Sequence, residues 1–411
     1  MNMDILNVFE SGNMDTWIST NDTNRSDTVA SRMLPEILVI TTYPPRECGI
    51  ATYSRDLIAA LDNGFENSFR IQVCALESDT EQYFYPDNVK YTLNTADASD
   101  FEILADNINN DGAISIVMIQ HEFGLFRNNE AAFYEFLNAI NKPILLVFHT
   151  ILPNPDERLK VSVSQMAEVA QGIIVMTKSS AELLTAAYGI SPEKINVIPH
   201  GTHLVPHADK LFLKHKYQLT GRKVLSTFGL LSAGKSIETT LEALPAIVEK
   251  DKSVLFLIIG KTHPTIVKHD GGAYRDMLMA KVNTLGLGNH VRFINHFLPL
   301  PELLEYLQLT DIYLFTSKDP HQAVSGTFAY AISCGCPIIS TPIPHALEVL
   351  GNDTGIIIDF NNALQLAGAV NLLLTDEVKR KNLISNGLHR MASTAWEMQL
   401  LHTRCCLSNI A

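Results

Sequence analysis

Two doubly wound parallel-sheet domains are predicted for this 411-residue α/β chain by three observations. First, short β-rich runs recur that are apolar on both faces: EILVITTY (36–43), IQVCAL (71–76), ISIVMIQ (114–120), ILLVFH (144–149), GIIVMT (172–177) and INVIPH (195–200). Such runs suit strands buried on both sides of a parallel sheet. Second, helical stretches separate several of them; IATYSRDLIAAL puts Ile50, Tyr53, Leu57, Ile58 and Leu61 on one helical face. Third, after a polar stretch over 203–222 the alternation restarts with VLSTFG (224–229), VLFLIIG (254–260), VRFIN (291–295), DIYLFT (311–316), PIIST (337–341) and GIIIDF (355–360). Helices are expected near 236–249, 273–285, 300–308, 326–334 and 361–374. Strands alternating with helices make parallel sheets, and two such sheets facing each other make one cleft beyond the carboxyl ends of their strands.

Bulk properties narrow the function classes. The hydrophobic fraction of 46% is that of a globular protein, and no apolar run approaches the ~18 residues of a membrane span. A net charge of −13 argues against nucleic acid or an anionic lipid surface as main partner, since both reward clustered Lys and Arg. The six cysteines, at 48, 74, 334, 336, 405 and 406, form no C-x-x-C pair and read as thiols, not a disulfide framework. Residues 1–34 are rich in Asn, Asp, Ser and Thr and read as a polar extension. The opening MNMDILNVFESGNMDTW carries acids and no basic leader, so it does not resemble a secretory signal, and a cytoplasmic location is expected.

Candidate chemistry gathers at predicted strand ends. In HQAVSGTFAYAISCGCPIIST (321–341), Ser325, Gly326 and Thr327 open a helix, whose free N–H groups and partial positive charge make a phosphate seat. A buried helix whose Gly and Ala pack close to the sheet is the competing reading. GLLSAGKS (229–236) satisfies G-x-x-x-x-G-K-[ST] between a strand and a helix, the pattern of a nucleoside triphosphatase. That reading leaves the first domain without a role, and an apolar strand ending in the Asp that would serve magnesium is not evident, since VLFLIIG ends in Gly260 and DIYLFT in Thr316. Under either reading Lys235 is an ammonium at a helix start, suited to phosphate. The first βα turn, TTYPPRECGIATY, holds Gly49 but not G-x-G-x-x-G, so no dehydrogenase is predicted. His149 and His121 end apolar strands at the ligand edge, with Glu122 beside the latter, where imidazole can hold a sugar hydroxyl. His200, in VIPHG, reads as a hinge or loop residue.

The ordered set TTYPPRECGIATYSRDL, QHEFGLF, VFHT, VIPHG, FGLLSAGKSIETTLEALP and QAVSGTFAYAISCGCPIISTP resembles the retaining glycosyltransferases of family 4, in a bacterial subgroup carrying Q-x-x-S-G-T-x-A-Y-A. The resemblance runs from about Pro35 to the C-terminus. It implies the GT-B fold: an acceptor-side Rossmann-like domain over 35–210, a donor-side one over 211–390, and a helix over 391–411 crossing back to the first. It implies further that Gly49 lies near the donor phosphates, that His149 lies beside the transferred sugar and that Lys235 binds the diphosphate. Two departures stand out. The family's pair of glutamates, with seven residues between them, is here Gln322 and Tyr330, and Leu230 occupies a common arginine position.

The expected function is therefore hexosyl transfer, with retention, from a nucleoside diphosphate sugar such as GDP-mannose or UDP-glucose to a saccharide acceptor. Lys235 and the N–H groups near Ser325, Gly326 and Thr327 would stabilise the leaving diphosphate, with His149 and Gln322 at the sugar, Tyr330 at the donor, and His121 and Glu122 towards the acceptor. No Asp-x-Asp occurs, so neither a metal nor another cofactor is expected. Three alternatives remain: a non-catalytic nucleotide-sugar-binding or regulatory protein, a phosphate-loop nucleotidase, and a sugar phosphorylase.

Overall fold

A computed structural model describes residues 34–403 apart from 66, 67, 263–265, 268–270, 352, 397 and 400–402. Positions 1–33 of the expected polar extension, the end of the expected crossing helix, Cys405 and Cys406 lie outside the described residues. Two sheets form the fold. The first contains β1 (Glu36–Thr41), β2 (Arg70–Glu77), β3 (Val89–Asn94), β4 (Ile114–His121), β5 (Ile144–Phe148), β6 (Gly172–Val175) and β7 (Ile195–Val197), in the order β3-β2-β1-β4-β5-β6-β7. The second contains β8 (Lys223–Phe228), β9 (Val254–Ile259), β10 (Val291–Ile294), β11 (Ile312–Phe315), β12 (Ile338–Ser340) and β13 (Gly355–Ile357), in the order β10-β9-β8-β11-β12-β13. Every pairing is parallel.

Burial on both faces follows from the period of two along each strand. In β1, Leu38 and Ile40 enter one core with Phe101 and Phe133, while Ile37 and Val39 enter the opposite core with Tyr53 and Leu57. In β8, Leu225 and Val224 divide in the same way between the two cores of the second sheet. Each sheet therefore has helices on both faces, as continuous apolar strands require. Elements absent from the sequence reading include β3 and the helices Lys210–Lys216 and Pro344–Leu350. β3 is an edge strand, VKYTLN, with only Leu93 fully buried, so it lacks the continuous apolar signal. The helix Lys210–Lys216 falls in the stretch read as polar; Asp209 caps it by accepting from the N–H groups of Leu211 and Phe212. Among the described residues no helix is long and apolar enough to cross a membrane.

Several contacts tie the chain of the second sheet to the first. Thr202 N–H donates to Thr394 O (2.9 Å) and Trp396 N–H to Thr202 O (3.0 Å), and Trp396 enters the core that contains Val39, Tyr53 and Leu57. The indole lies so close over Gly201 that a Cβ there would meet it at 2.2 Å. Asp56 is buried on the helix Gly49–Phe65, where its Oδ2 accepts from Tyr330 Oη (2.6 Å) and His203 Nε2 (3.0 Å). Burial would raise its pKa, but the hydrogen bonds from His203 and Tyr330 and the charge of Arg55 outweigh it and hold the carboxyl below its ordinary range. Elsewhere Glu348 accepts from Lys178 N–H (3.0 Å) at the start of the helix Lys178–Tyr188.

Two outcomes follow from these contacts. Trp396→Ala removes a buried indole between the halves and should cost about 3–5 kcal/mol, read as a lower urea midpoint. Ionised Asp56 contributes stability at pH values above the ordinary carboxyl pKa of about 4, and that contribution is lost as pH falls through its depressed folded value. The excess stability of wild type over Asp56→Asn, measured by urea unfolding at stepped pH, should be level from pH 7 to about 5 and shrink below about 4.

Candidate functional site

A cavity of about 360 Å³ opens where the carboxyl ends of the two sheets face each other. This is within the size range of small-molecule sites. The floor on the second-sheet side is set by backbone. Gly229 and Gly260 end β8 and β9 with φ of +126° and +124°, and a Cβ on Gly260 would stand 2.1 Å from Gly229 O. Only glycine allows both the dihedrals and that approach. The Lys235 side chain then lies against Gly229, where a Cβ would be 3.1 Å from its Nζ. Thr316 Oγ1 fixes the turn by donating to Lys235 O and Ser236 O, each at 3.0 Å. Burial pushes the Lys235 ammonium down to about 8, and Nζ sits 5.6 Å from the Phe315 ring centroid. Among the described residues no carboxylate pairs with it, so the site holds a cation in want of an anion.

Two helix starts converge on the same space. The helix Gly326–Ser333 presents Gly326 and Thr327 to the cavity, and the helix Gly49–Phe65 presents Gly49 from the other side, with Cys48 just before it. The first N–H groups of a helix have no partner within it. Ser325 N–H is engaged, donating to His345 Nδ1 (3.0 Å), and the Ser325 hydroxyl lies 2.8 Å from that of Thr327. The arrangement of Lys235, Gly49, Gly326 and Thr327 is thus suited to a diphosphate: one ammonium and two positive helix ends around a polar floor. Phe297 and Pro299 in the loop after β10, Leu300 at the start of the helix Leu300–Leu309, and Leu230 supply an apolar wall.

Of the residues singled out in the sequence, Gly49, Lys235, Gly326, Thr327 and Tyr330 line the cavity. Ser325, Gln322, His149, His121 and Glu122 do not. Gln322 Oε1 accepts from Ser317 Oγ (2.9 Å) and its Nε2 donates to Val324 O (3.3 Å). The expected place of His121 at the open ligand edge is corrected by strand alternation. Its ring turns into the core against Phe123, Phe126, Phe133 and Phe148, with Nδ1 unpartnered and its pKa pushed by burial to about 3. Glu122 accepts from Thr150 Oγ1 (2.6 Å). His149 Nε2 lies 2.8 Å from Gln120 Oε1, and its ring meets Tyr53 edge-on at 5.0 Å. Burial, with His200 and His121 nearby, takes its pKa to about 3.

Sequence reasoning missed other residues at the cavity. His200, read as a hinge residue, lines it, as do Tyr53 and Arg55 from the helix Gly49–Phe65. Tyr53 looked like a core position by its spacing, and it is also buried, so periodicity alone could not separate the two roles. The apolar wall after β10 was legible in principle, because loops at carboxyl strand ends carry ligands in such sheets.

Residues 209–390 match the model of Glycosyl transferases group 1. The chain is 21% identical over 249 residues to D-inositol 3-phosphate glycosyltransferase of Rhodococcus jostii (strain RHA1), covering 60% of this chain and 54% of that protein. It is 28% identical over 175 residues to Spore coat protein SA of Bacillus subtilis (strain 168), covering 42% and 44% respectively. The chain thus spans about half the length of these curated relatives. Among solved structures, Anabaena Alr3699/HepE in complex with UDP and glucose superimposes with a TM-score of 0.72 at 15% identity, over 91% of this chain and 100% of that one. Sucrose-phosphate synthase from Thermosynechococcus elongatus gives 0.71 at 17% identity, over 91% and 98%. At such identities the likeness is one of fold, and that fold, two facing parallel-sheet α/β domains, is GT-B.

Proposed function

We propose that the chain is a retaining glycosyltransferase that moves a hexosyl group from a nucleoside diphosphate sugar, of the UDP-glucose or GDP-mannose type, to a saccharide acceptor. The observation that carries this reading is the buried Lys235 ammonium with no carboxylate partner among the described residues, flanked by Gly326 and Thr327 at one helix start and Gly49 at another. Negative charge gathers on the leaving diphosphate as the anomeric bond breaks. Donors already aimed at that charge in a water-poor cavity stabilise it without reorganising. The acceptor hydroxyl would attack from the leaving-group side, and a phosphate oxygen would take its proton. The group 1 match over 209–390 falls on the sheet that holds Lys235, and the structural neighbour Alr3699/HepE was solved with UDP and glucose, which supports a nucleotide-sugar donor here.

The phosphate-loop reading of GLLSAGKS fares worse against the geometry. Its serine would have to reach a nucleotide-bound magnesium, whereas Ser236 is 1% exposed and its Oγ faces Thr239 Oγ1 (2.9 Å) and Asn361 Oδ1 (3.2 Å). A non-catalytic nucleotide-sugar-binding protein is the second reading, favoured by one observation: Tyr330, at a family glutamate position, donates its hydroxyl to Asp56. Formation of any glycosylated product from a sugar nucleotide decides between the two.

Thermal melting with UDP and GDP tests the donor site. A hundredfold excess of ligand over its dissociation constant stabilises by about 2.7 kcal/mol, so one nucleotide should raise the melting temperature of wild type and leave Lys235→Met unmoved. No shift with either nucleotide would sink the reading. In turnover, Lys235→Met should lower kcat by about 10²–10³. The pH dependence has a definite sign. Free Lys235 titrates near 8 in the folded protein. The ordinary lysine value is about 10.4, so between the two the unfolded chain binds the proton more tightly. Stability of the ligand-free protein should rise by this contribution from about pH 8 to about 10, and the contribution should be missing in Lys235→Met. Nucleotide affinity should weaken over the same range as the ammonium is lost.

A further inference from the structure

Of the two histidines that meet the ring of Tyr53, it is His200 that lines the cavity, not His149, the one that strand order offers. His149 directs its Nε2–H to Gln120, meets the ring of Tyr53 edge-on and is not part of the cavity lining. His200 follows β7, is 8% exposed and lines the cavity. Its Nδ1 is 2.8 Å from Gly201 O, which can only accept, so the proton sits on Nδ1 and the lone pair on Nε2. The edges of Tyr53 (5.1 Å between ring centroids) and Trp396 (6.0 Å) hold the ring in that orientation. Nε2 points at the start of the helix Gly326–Ser333 so closely that a Cβ on residue 326 would stand 2.9 Å from it. No protein donor among the described residues is assigned to Nε2, although it borders the phosphate seat.

We propose that His200 Nε2 accepts a hydrogen bond from a hydroxyl of the transferred sugar, and so positions the donor for reaction. A nitrogen lone pair repels phosphate oxygens and requires an O–H. Beside the diphosphate, the sugar end of the donor supplies one. The assignment rests on the nucleotide-sugar reading above, and it makes His200 a contact that distinguishes a sugar nucleotide from the bare nucleoside diphosphate. Burial holds the imidazole neutral, as an acceptor must be. Gly326 belongs to the same device, since any side chain there would displace the ring from the seat.

Calorimetric titration of wild type, His200→Ala, His200→Leu and His200→Gln with two pairs, UDP against UDP-glucose and GDP against GDP-mannose, tests the proposal without a known acceptor. In whichever pair binds, wild type should prefer the sugar nucleotide, and both His200→Ala and His200→Leu should lose about tenfold of that preference. Their affinity for the bare nucleotide should stay within about twofold of wild type, which also shows that they fold. His200→Gln, with an acceptor oxygen, should recover part of the preference. Equal weakening of both members of the pair would overturn the proposal by placing the contact on phosphate or ribose. An unchanged preference, or one lost instead in His149→Ala, would also overturn it. Absence of binding by wild type to all four nucleotides would refute the donor reading itself, a result distinct from failure of the His200 contact alone.

Discussion

An uncompensated ammonium organises this molecule. Lys235 is buried, its pKa is depressed, and among the described residues no carboxylate answers it. Such a group is unfavourable in the empty protein and persists only where surrounding structure enforces it. Here enforcement comes from the backbone: two left-handed-region glycines, Gly229 and Gly260, pass within contact at adjacent strand ends, and the turn they allow lays the lysine against the cavity floor. The sheet order makes the place inevitable. β8 and β11 are neighbours at which the chain reverses its direction of winding, and the loop after β8 carries Lys235 while the segment after β11 leads to Gly326. A crevice opens at such a switch point, so the cation and the helix start share it.

How far the sequence discloses this depends on the kind of signal. Strands buried on both faces announce themselves by composition, and those of both sheets were legible except β3, whose polar edge positions dilute the pattern. Glycines and a lysine between a strand and a helix were legible as well, because the pattern G-x-x-x-x-G-K-[ST] is carried by residue types alone. Side-chain direction at a strand end was not. A run such as ISIVMIQH fixes that His121 comes last, but not whether the last residue faces a cleft or a core, since one step along a strand reverses the face. His121 went to the phenylalanine cage, and Gln120, one position earlier, meets His149.

Tyr330 on the second sheet's side meets a carboxylate from the other sheet. Asp56, on the helix that begins at Gly49, reaches Tyr330 and His203 with a single oxygen. Tyr330 thereby serves two surfaces, its ring edge facing the cavity and its hydroxyl joining the halves. A glutamate in its place would set two carboxylates against each other in a buried setting, which neither would tolerate ionised. The tyrosine and the aspartate are thus one solution, and the pair couples the relative position of the two sheets to the wall of the cavity.

The same economy explains why the histidines exchange places. Tyr53 meets the rings of both His149 and His200, and of the two only His200 lines the cavity. Tyr53 is held there by Trp396, which the returning chain inserts over Gly201. The position of an imidazole beside Gly326 therefore depends on a contact made by residue 396, nearly two hundred residues away along the chain from His200. No local pattern around VIPHG could disclose that contact, because it exists only once both sheets and the segment returning from the second have come together. What reads locally as a hinge becomes a wall of the site through packing alone.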